Sequence, residues 1–281
     1  MPSGKVRAQL GFNMHLNWLK YGAAGEFLLP LREFGVSVLE FKLEVASPRW
    51  PETSSLINEC VGLGFQLSFH IPYEGPYNPA GFSGERRVEL ERLHRPVIKY
   101  AARFSGGAPI ILVVHGAKGN RPREELRRDT TSFLRWILDE APELHPSIEL
   151  LPKEGVNKIG DNKAELVELV SSLDLPNVGI CWDLGHDARN GSKPPPPGFT
   201  PLVSHVHVHD ISPEGKDHCP LLFGKVPYEE YFRQLAEVDY QGTIVLEVNG
   251  YYVSRLAAEE GVHPHRILFD SLSKLMRLLI Q

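Results

Sequence analysis

Cysteine is scarce in this chain. Its 281 residues hold three, Cys60, Cys181 and Cys219, scattered and without a Cys-x-x-Cys pair, which excludes a disulfide framework and a thiolate zinc site. No apolar run reaches the roughly 18 residues that a membrane span needs. The stretch Met1-Pro2-Ser3-Gly4-Lys5-Val6 lacks the apolar segment of a secretory leader, so the cytoplasm is the expected compartment and no membrane partner is expected. A formal net charge of −5 supplies no global positive field for nucleic acid. Arg86, Arg87, Arg92, Arg95, Arg121, Arg123, Arg127 and Arg128 do cluster, but Glu85, Glu89, Glu91, Glu124 and Glu125 interleave with them at helical spacing, as on solvated helix faces. No internal repeat stands out beyond the element period described next.

The 42% hydrophobic and 23% charged fractions are those of a globular protein with a large core. Short apolar runs, rich in β-branched and aromatic residues, occupy Val6 to Asn13, Val36 to Glu44, Phe65 to Pro72, Pro109 to Gly116, Ser147 to Leu151, Val178 to Leu184, Val203 to Asp210 and Thr243 to Asn249. Their starts recur at about 34 residues on average, which is one strand plus one crossover helix. Amphipathic helical patterns fit Ser54 to Leu63, Glu85 to Phe104, Arg123 to Asp139, Ala164 to Leu173 with Asp161 as its cap, Tyr228 to Val238, and Pro264 to Ile280. The expected fold is α/β, a (β/α)8 barrel spanning residues 1–281 as a single domain. The tract Pro194 to Pro197 predicts an abbreviated sixth crossover. Loops Glu74 to Gly84 and Ser212 to Lys225, rich in Gly and Pro, are the expected lids.

Polar residues stand where these strands end: His70, His115, Glu149, Asp183 with His186, His207 and Glu247. Strand side chains alternate between faces, so the flanks Phe69 and Ile71, Ile148 and Leu150, and Leu246 and Val248 face the helices while the polar residues face the barrel interior. Asp183 and His186 can reach one cation. A mixed carboxylate and imidazole set suits Mn²⁺, Co²⁺, Mg²⁺ or Zn²⁺, with one site expected and up to two or three open. His205, His207 and His209 alternate along one strand, so at least one is a ligand and the others orient it or fill the interior. Glu149 and Glu247 lie across the ring from each other, placed to hold metal and to exchange protons with a carbon acid. His70 and His115 are weaker signals that could simply end strands. Glu40, Lys42 and Glu44 share inward parity, either with the site or in a salt-bridge network. His186, Lys153 and His209 are the expected contacts to substrate oxygens.

Together His70-Ile71-Pro72-Tyr73, Val113-Val114-His115-Gly116, Ile148-Glu149-Leu150-Leu151-Pro152, Trp182-Asp183-Leu184-Gly185-His186, His207-Val208-His209-Asp210, Asp217-His218 and Leu246-Glu247 make the chain resemble the xylose isomerase-like TIM barrels. That superfamily includes sugar-phosphate isomerases and epimerases and the endonuclease IV type of apurinic endonuclease. The resemblance implies a principal metal on Glu149, Asp183, His207 and Glu247, a second on His70, His115 and a bridging Glu149, and a third ligand group at His186 and His218. It implies a divalent-metal isomerase or epimerase of a sugar, sugar phosphate or polyol, working through an enediolate with Glu149 and Glu247 as acid and base. The alternative is a multi-metal phosphodiesterase acting on abasic DNA, the one case in which nucleic acid is a partner. The nuclease pattern has Asp two residues before the position of His218, where this chain has Lys216, so its third metal lacks a ligand unless Asp217 substitutes. The substrate-binding Arg of ketose 3-epimerases has no counterpart in Ser212 to Lys216. A homo-oligomer is left open.

Overall fold

The computed structural model describes residues 6–21 and 24–280; the leader reading at Met1 to Lys5 lies outside them. Among the described residues, eight parallel strands close into a barrel in sequence order, with the last strand pairing back to the first. They are β1 (Gln9–Asn13), β2 (Val36–Lys42), β3 (Gln66–His70), β4 (Ile110–Val114), β5 (Leu144–Glu149), β6 (Gly179–Asp183), β7 (Val203–Val208) and β8 (Thr243–Leu246). Around them run α1 (Ala24–Glu33), α2 (Trp50–Gly62), α3 (Arg87–Ala102), α4 (Arg123–Glu140), α5 (Lys163–Leu173), α6 (Leu184–Arg189), α7 (Tyr228–Glu237), α8 (Gly250–Glu260) and α9 (Pro264–Ile280). The expected (β/α)8 barrel is thus the fold. None of the described helices is long and apolar enough to cross a membrane.

The alternation that defines the strands also defines the layers. Phe69, Ile148, Val206, Val208 and Leu246 are fully buried and belong to the apolar layer between sheet and helices. The intervening residues face inward, so His70, Glu149 and Asp183 become the last residues of their strands. Their burial costs no apolar packing because the barrel interior at this end is polar.

Two local expectations change and one holds. The cap of α5 is Asn162, whose side chain accepts from Ala164 N–H and Glu165 N–H; Asp161 instead receives Arg123, which also grips Glu165. The sixth crossover is short as expected, with α6 only six residues long. α8 was not anticipated: the run Gly250 to Glu260 follows a strand end, and its exposed Tyr251 blurs the apolar face.

Both expected lids are tied down. Loop 74–84 buries Phe82, and the buried Asp129 carboxylate of α4 accepts Gly81 N–H and Ser83 N–H. Arg86 donates to the carbonyls of Pro76, Asn78 and Ala80. His94 of α3 donates Nε2–H to Tyr77 O at 3.0 Å. Loop 212–225 folds around the buried Asp210, whose carboxylate accepts the N–H groups of Ile211, Phe223, Gly224 and Lys225. Four charge-assisted bonds to backbone make that loop a fixed wall of the mouth.

His94 makes the fold acid-sensitive. Its Nδ1 is buried without a partner, and burial pulls the imidazole pKa down to about 4, against the Tyr77 carbonyl and with help from Arg86. The unfolded chain takes up this proton near the ordinary pKa of 6.5, so stability is fully present above that value and falls as pH drops toward about 4, by ~2–3 kcal/mol from this residue. Urea unfolding at pH 7 and pH 4.5 should show a smaller acid loss in His94→Gln, which keeps a donor for Tyr77 O. Equal losses in variant and wild type would refute the assignment.

Candidate metal centre

Glu149 is the hub of the mouth. Its Oε2 lies 3.1 Å from His70 Nε2 and 2.8 Å from His115 Nε2, and its Oε1 lies 3.2 Å from His186 Nδ1. Burial works to raise its pKa, but His115, His186 and His70 outweigh it and hold the carboxylate ionised. The His70 ring shows what this demands. Its Nδ1 is 2.9 Å from the Ile71 carbonyl, which can only accept, so the Nδ1 nitrogen carries the proton and Nε2 presents a lone pair to Glu149 oxygen. Two lone pairs at that distance require a cation between or beside them, a second proton or a metal ion. His115 is pushed down to about 4 by burial, against the pull of Glu149, so it is a neutral imidazole as ligation requires.

Asp183 serves two purposes. Its Oδ1 caps α6 by accepting His186 N–H at 2.7 Å, while its Oδ2 is buried without a hydrogen-bond partner. His207 Nδ1 lies 2.9 Å from Glu247 Oε2 and 3.9 Å from Asp183 Oδ2, yet neither Nδ1 nor that glutamate oxygen completes a hydrogen bond. Buried polar atoms are rarely left so. Three orphaned donors from β6, β7 and the end of β8 thus converge, and with Glu149 their ligand atoms all lie within 4.8 Å of one another. This geometry fits a divalent cation, and Glu149, Asp183, His207 and Glu247 would hold it.

Two further groups share these residues. His70, His115 and Glu149 form one, roofed by Tyr73, whose ring stacks on His115 at 3.6 Å. Asp183, His186, His209 and His218 form the other. Asp217 does not enter it; that side chain turns to Arg189 and to His218 Nδ1. His209 stands there instead, its Nε2 3.0 Å from Asp183 Oδ1. Its Nδ1 accepts His218 N–H at 2.9 Å and stands 3.3 Å from the Asp210 carbonyl, and its Nε2, which completes no hydrogen bond, faces Asp183 so that the ring helps to place that carboxylate.

The open side of the centre is a cavity of about 340 Å³ lined by Asn13, His15, Asn17, Glu40, Lys42, His70, Tyr73 and Glu247. That is the small end of the range for small-molecule sites, ~300–1,000 Å³. Glu247 reaches it with a side chain 19% exposed, whereas Glu149 is only 2% exposed. Lys153 is the expected site residue that the fold leaves out. It is exposed, its N–H bonds Asn190 Oδ1, and it borders a separate hollow with Asn162 and Lys163. The sequence reading passed over Tyr73, signalled only by its place in His-x-Pro-Tyr, and left Glu40 undecided. Glu40 proves to be buried against His205 and His207, while Lys42 and Glu44 pair with each other at the rim.

A parallel barrel that gathers carboxylates and imidazoles beyond the C-terminal ends of its strands has the layout of a barrel enzyme. The chain belongs to the xylose isomerase-like TIM barrel family, whose profile matches residues 30–272. It is 29% identical over 198 residues to the uncharacterized protein MJ1311 of Methanocaldococcus jannaschii, a match covering 65% of this chain and 64% of that protein. It is 28% identical over 131 residues to a probable endonuclease 4 of Mesomycoplasma hyopneumoniae, covering 43% and 44%. The matches thus span less than two thirds of either relative. Among solved structures, the D-psicose 3-epimerase of Clostridium cellulolyticum H10 superposes with a TM-score of 0.72 at 14% identity, over 97% of this chain and 99% of that one. At that identity the likeness is one of fold.

Gly185 gives this centre a sharp test. A β-carbon there would fall on the His209 imidazole. Gly185→Ala should therefore displace the ring that orients Asp183, lowering stability by ~1–3 kcal/mol and weakening Zn²⁺ or Co²⁺ binding by the folded protein. Wild-type melting temperature and metal affinity in the variant would show that His209 holds nothing in place.

Proposed function

We propose that the protein is a divalent-metal isomerase or epimerase of a small carbohydrate, a sugar, sugar phosphate or polyol. The carrying observation is the central set of Glu149, Asp183, His207 and Glu247 opening onto a small cavity rich in hydrogen-bonding side chains. A bound cation would polarise adjacent carbonyl and hydroxyl oxygens of the sugar and make the C–H between them acidic. Asn13, His15, Asn17 and Lys42 offer contacts to the remaining oxygens. Glu247 is the group that meets substrate: it is ionised, because His207 and His218 outweigh burial, and it reaches the cavity. Glu149 lies on the far side of the set and supplies the second proton-transfer position, as inversion at carbon requires. The neighbouring fold of a sugar epimerase supports this reading.

A second reading is phosphodiester hydrolysis. His70, His115 and Glu149 form a donor group that a single-metal isomerase does not use, and one relative is named a probable endonuclease 4. The third group weakens it, since His209 stands against Asp183 where the nuclease pattern needs a carboxylate, and Asp217 is turned away.

The two readings separate in one experiment. Protein loaded with Mn²⁺ or Co²⁺ and given a panel of ketoses and ketose phosphates in D₂O should place deuterium beside the carbonyl carbon. Glu247→Gln should lower that exchange at least ~100-fold with most of the metal retained, whereas Glu149→Gln should lose metal as well. No exchange with any sugar, together with two or more tightly bound Zn²⁺ and cleavage of an abasic-site duplex, would replace the isomerase by the nuclease.

A further inference from the structure

Glu40 is the one carboxylate of the barrel interior that the mechanism above does not use. It sits on β2, 3% exposed, and the ionisable side chains paired with it among the described residues are two imidazoles. Its two oxygens have different surroundings. Oε2 accepts the Ser68 hydroxyl at 3.0 Å and His205 Nε2–H at 2.8 Å. Oε1 is left for His207, whose Nε2 lies 2.9 Å away. The other nitrogen of that ring, Nδ1, points among Glu247 and Asp183.

A neutral imidazole has one N–H and one lone pair, and which nitrogen holds which decides whether the ring can bind a metal. With the proton on Nδ1, His207 would simply hydrogen-bond Glu247 and close the central set. With the proton on Nε2, the Nδ1 lone pair joins the other donors. Carboxylate oxygens stand 2.9 Å from both nitrogens, and neither contact completes a hydrogen bond. But Glu247 Oε2 also has His218 Nε2 at 3.5 Å and reaches the cavity, whereas Glu40 Oε1 is buried with only His207 beside it among the described residues, which selects the second form. Ser68 and His205 in turn fix which carboxylate oxygen faces the ring. We propose that Glu40 is a positioning residue that holds the proton of His207 on Nε2 and so makes His207 a ligand for a divalent cation of the Zn²⁺, Co²⁺ or Mn²⁺ type. This rests on the metal part of the proposed function and is independent of the reaction catalysed.

Glu40→Gln tests it with little change of shape. Ser68 and His205 both need an acceptor, so the amide oxygen takes the Oε2 place and the amide NH₂ faces His207 Nε2. A donor there demands a lone pair on Nε2 and drives the proton to Nδ1. Long-range ¹H–¹⁵N spectra of metal-free, ¹⁵N-histidine-labelled protein, recorded at a pH high enough to leave the ring neutral, should therefore show His207 protonated on Nε2 in wild type and on Nδ1 in Glu40→Gln. Competition with a chromophoric chelator should show the dissociation constants for Zn²⁺ and Co²⁺ rising 10–100-fold, the usual cost of losing such a partner, with Glu40→Asp recovering part of the affinity. Wild-type His207 protonated on Nδ1 would overturn the proposal with no variant needed. So would folded Glu40→Gln, of unchanged melting temperature, binding both metals within twofold of wild type. Wild-type protein that binds neither metal would overturn it together with the metal reading of the mouth, whereas metal binding without sugar chemistry would leave it standing.

Discussion

The structure depends on a crowding of lone pairs around Glu149. A buried, ionised carboxylate faces three imidazoles, and at least one of them, His70, must meet it with a second proton or a cation because its other nitrogen is committed to the Ile71 carbonyl. Hydrogen bonds from a neutral ring alone do not resolve this arrangement. Neutral residues of similar size would pack at lower electrostatic cost, so the cluster is no device for stability, and its ligand-type atoms stand where a cation could be held. Asp183 repeats the logic, one oxygen spent on capping α6 and the other beside the His186 and His207 rings without completing a hydrogen bond.

Around that centre, fixed backbone takes the place of mobile coverage. Asp129 and Asp210 are both buried acids, and each is satisfied by loop N–H groups from the segment that Gly and Pro content had suggested as a lid. An aspartate with several backbone donors costs free energy to release, since each broken bond leaves a buried charge less satisfied. The mouth is therefore preorganised, and the small cavity beside Glu247 is its standing opening.

How much of this was legible in sequence follows from which signals are local. Strand parity is local: Phe69 and Ile71 around His70, or Leu246 and Val248 around Glu247, reveal direction without any partner being known, and the barrel and its ring of ligand-type residues follow. Partnership across the barrel is not local. Glu40 meets His205 from a strand far away in sequence, so nothing near Glu40 distinguishes it from Lys42 and Glu44, which share its parity but sit at the rim. The place of Lys216 in the family pattern was read as a missing ligand; it took the fold to show His209 beside Asp183 and Asp217 against Arg189. Lys153 meets the same limit, since a loop after a strand can turn toward the mouth or away from it, and Lys153 borders a separate hollow. Asp161 and Asn162 are equally good caps by type, and only the pull of Arg123 decides between them.

The imidazoles then divide by what their second nitrogen touches. His70 spends Nδ1 on a carbonyl and has Nε2 left for a cation. His207 is flanked by carboxylates on both nitrogens, so its role depends on which one wins the proton. His209 accepts a backbone N–H on Nδ1, which turns its Nε2 toward Asp183 at 3.0 Å. A histidine-rich barrel mouth is thus not a pool of interchangeable ligands. Each ring's far side, set by a backbone carbonyl, a backbone N–H group or a carboxylate, bears on whether its near side offers a lone pair or a proton.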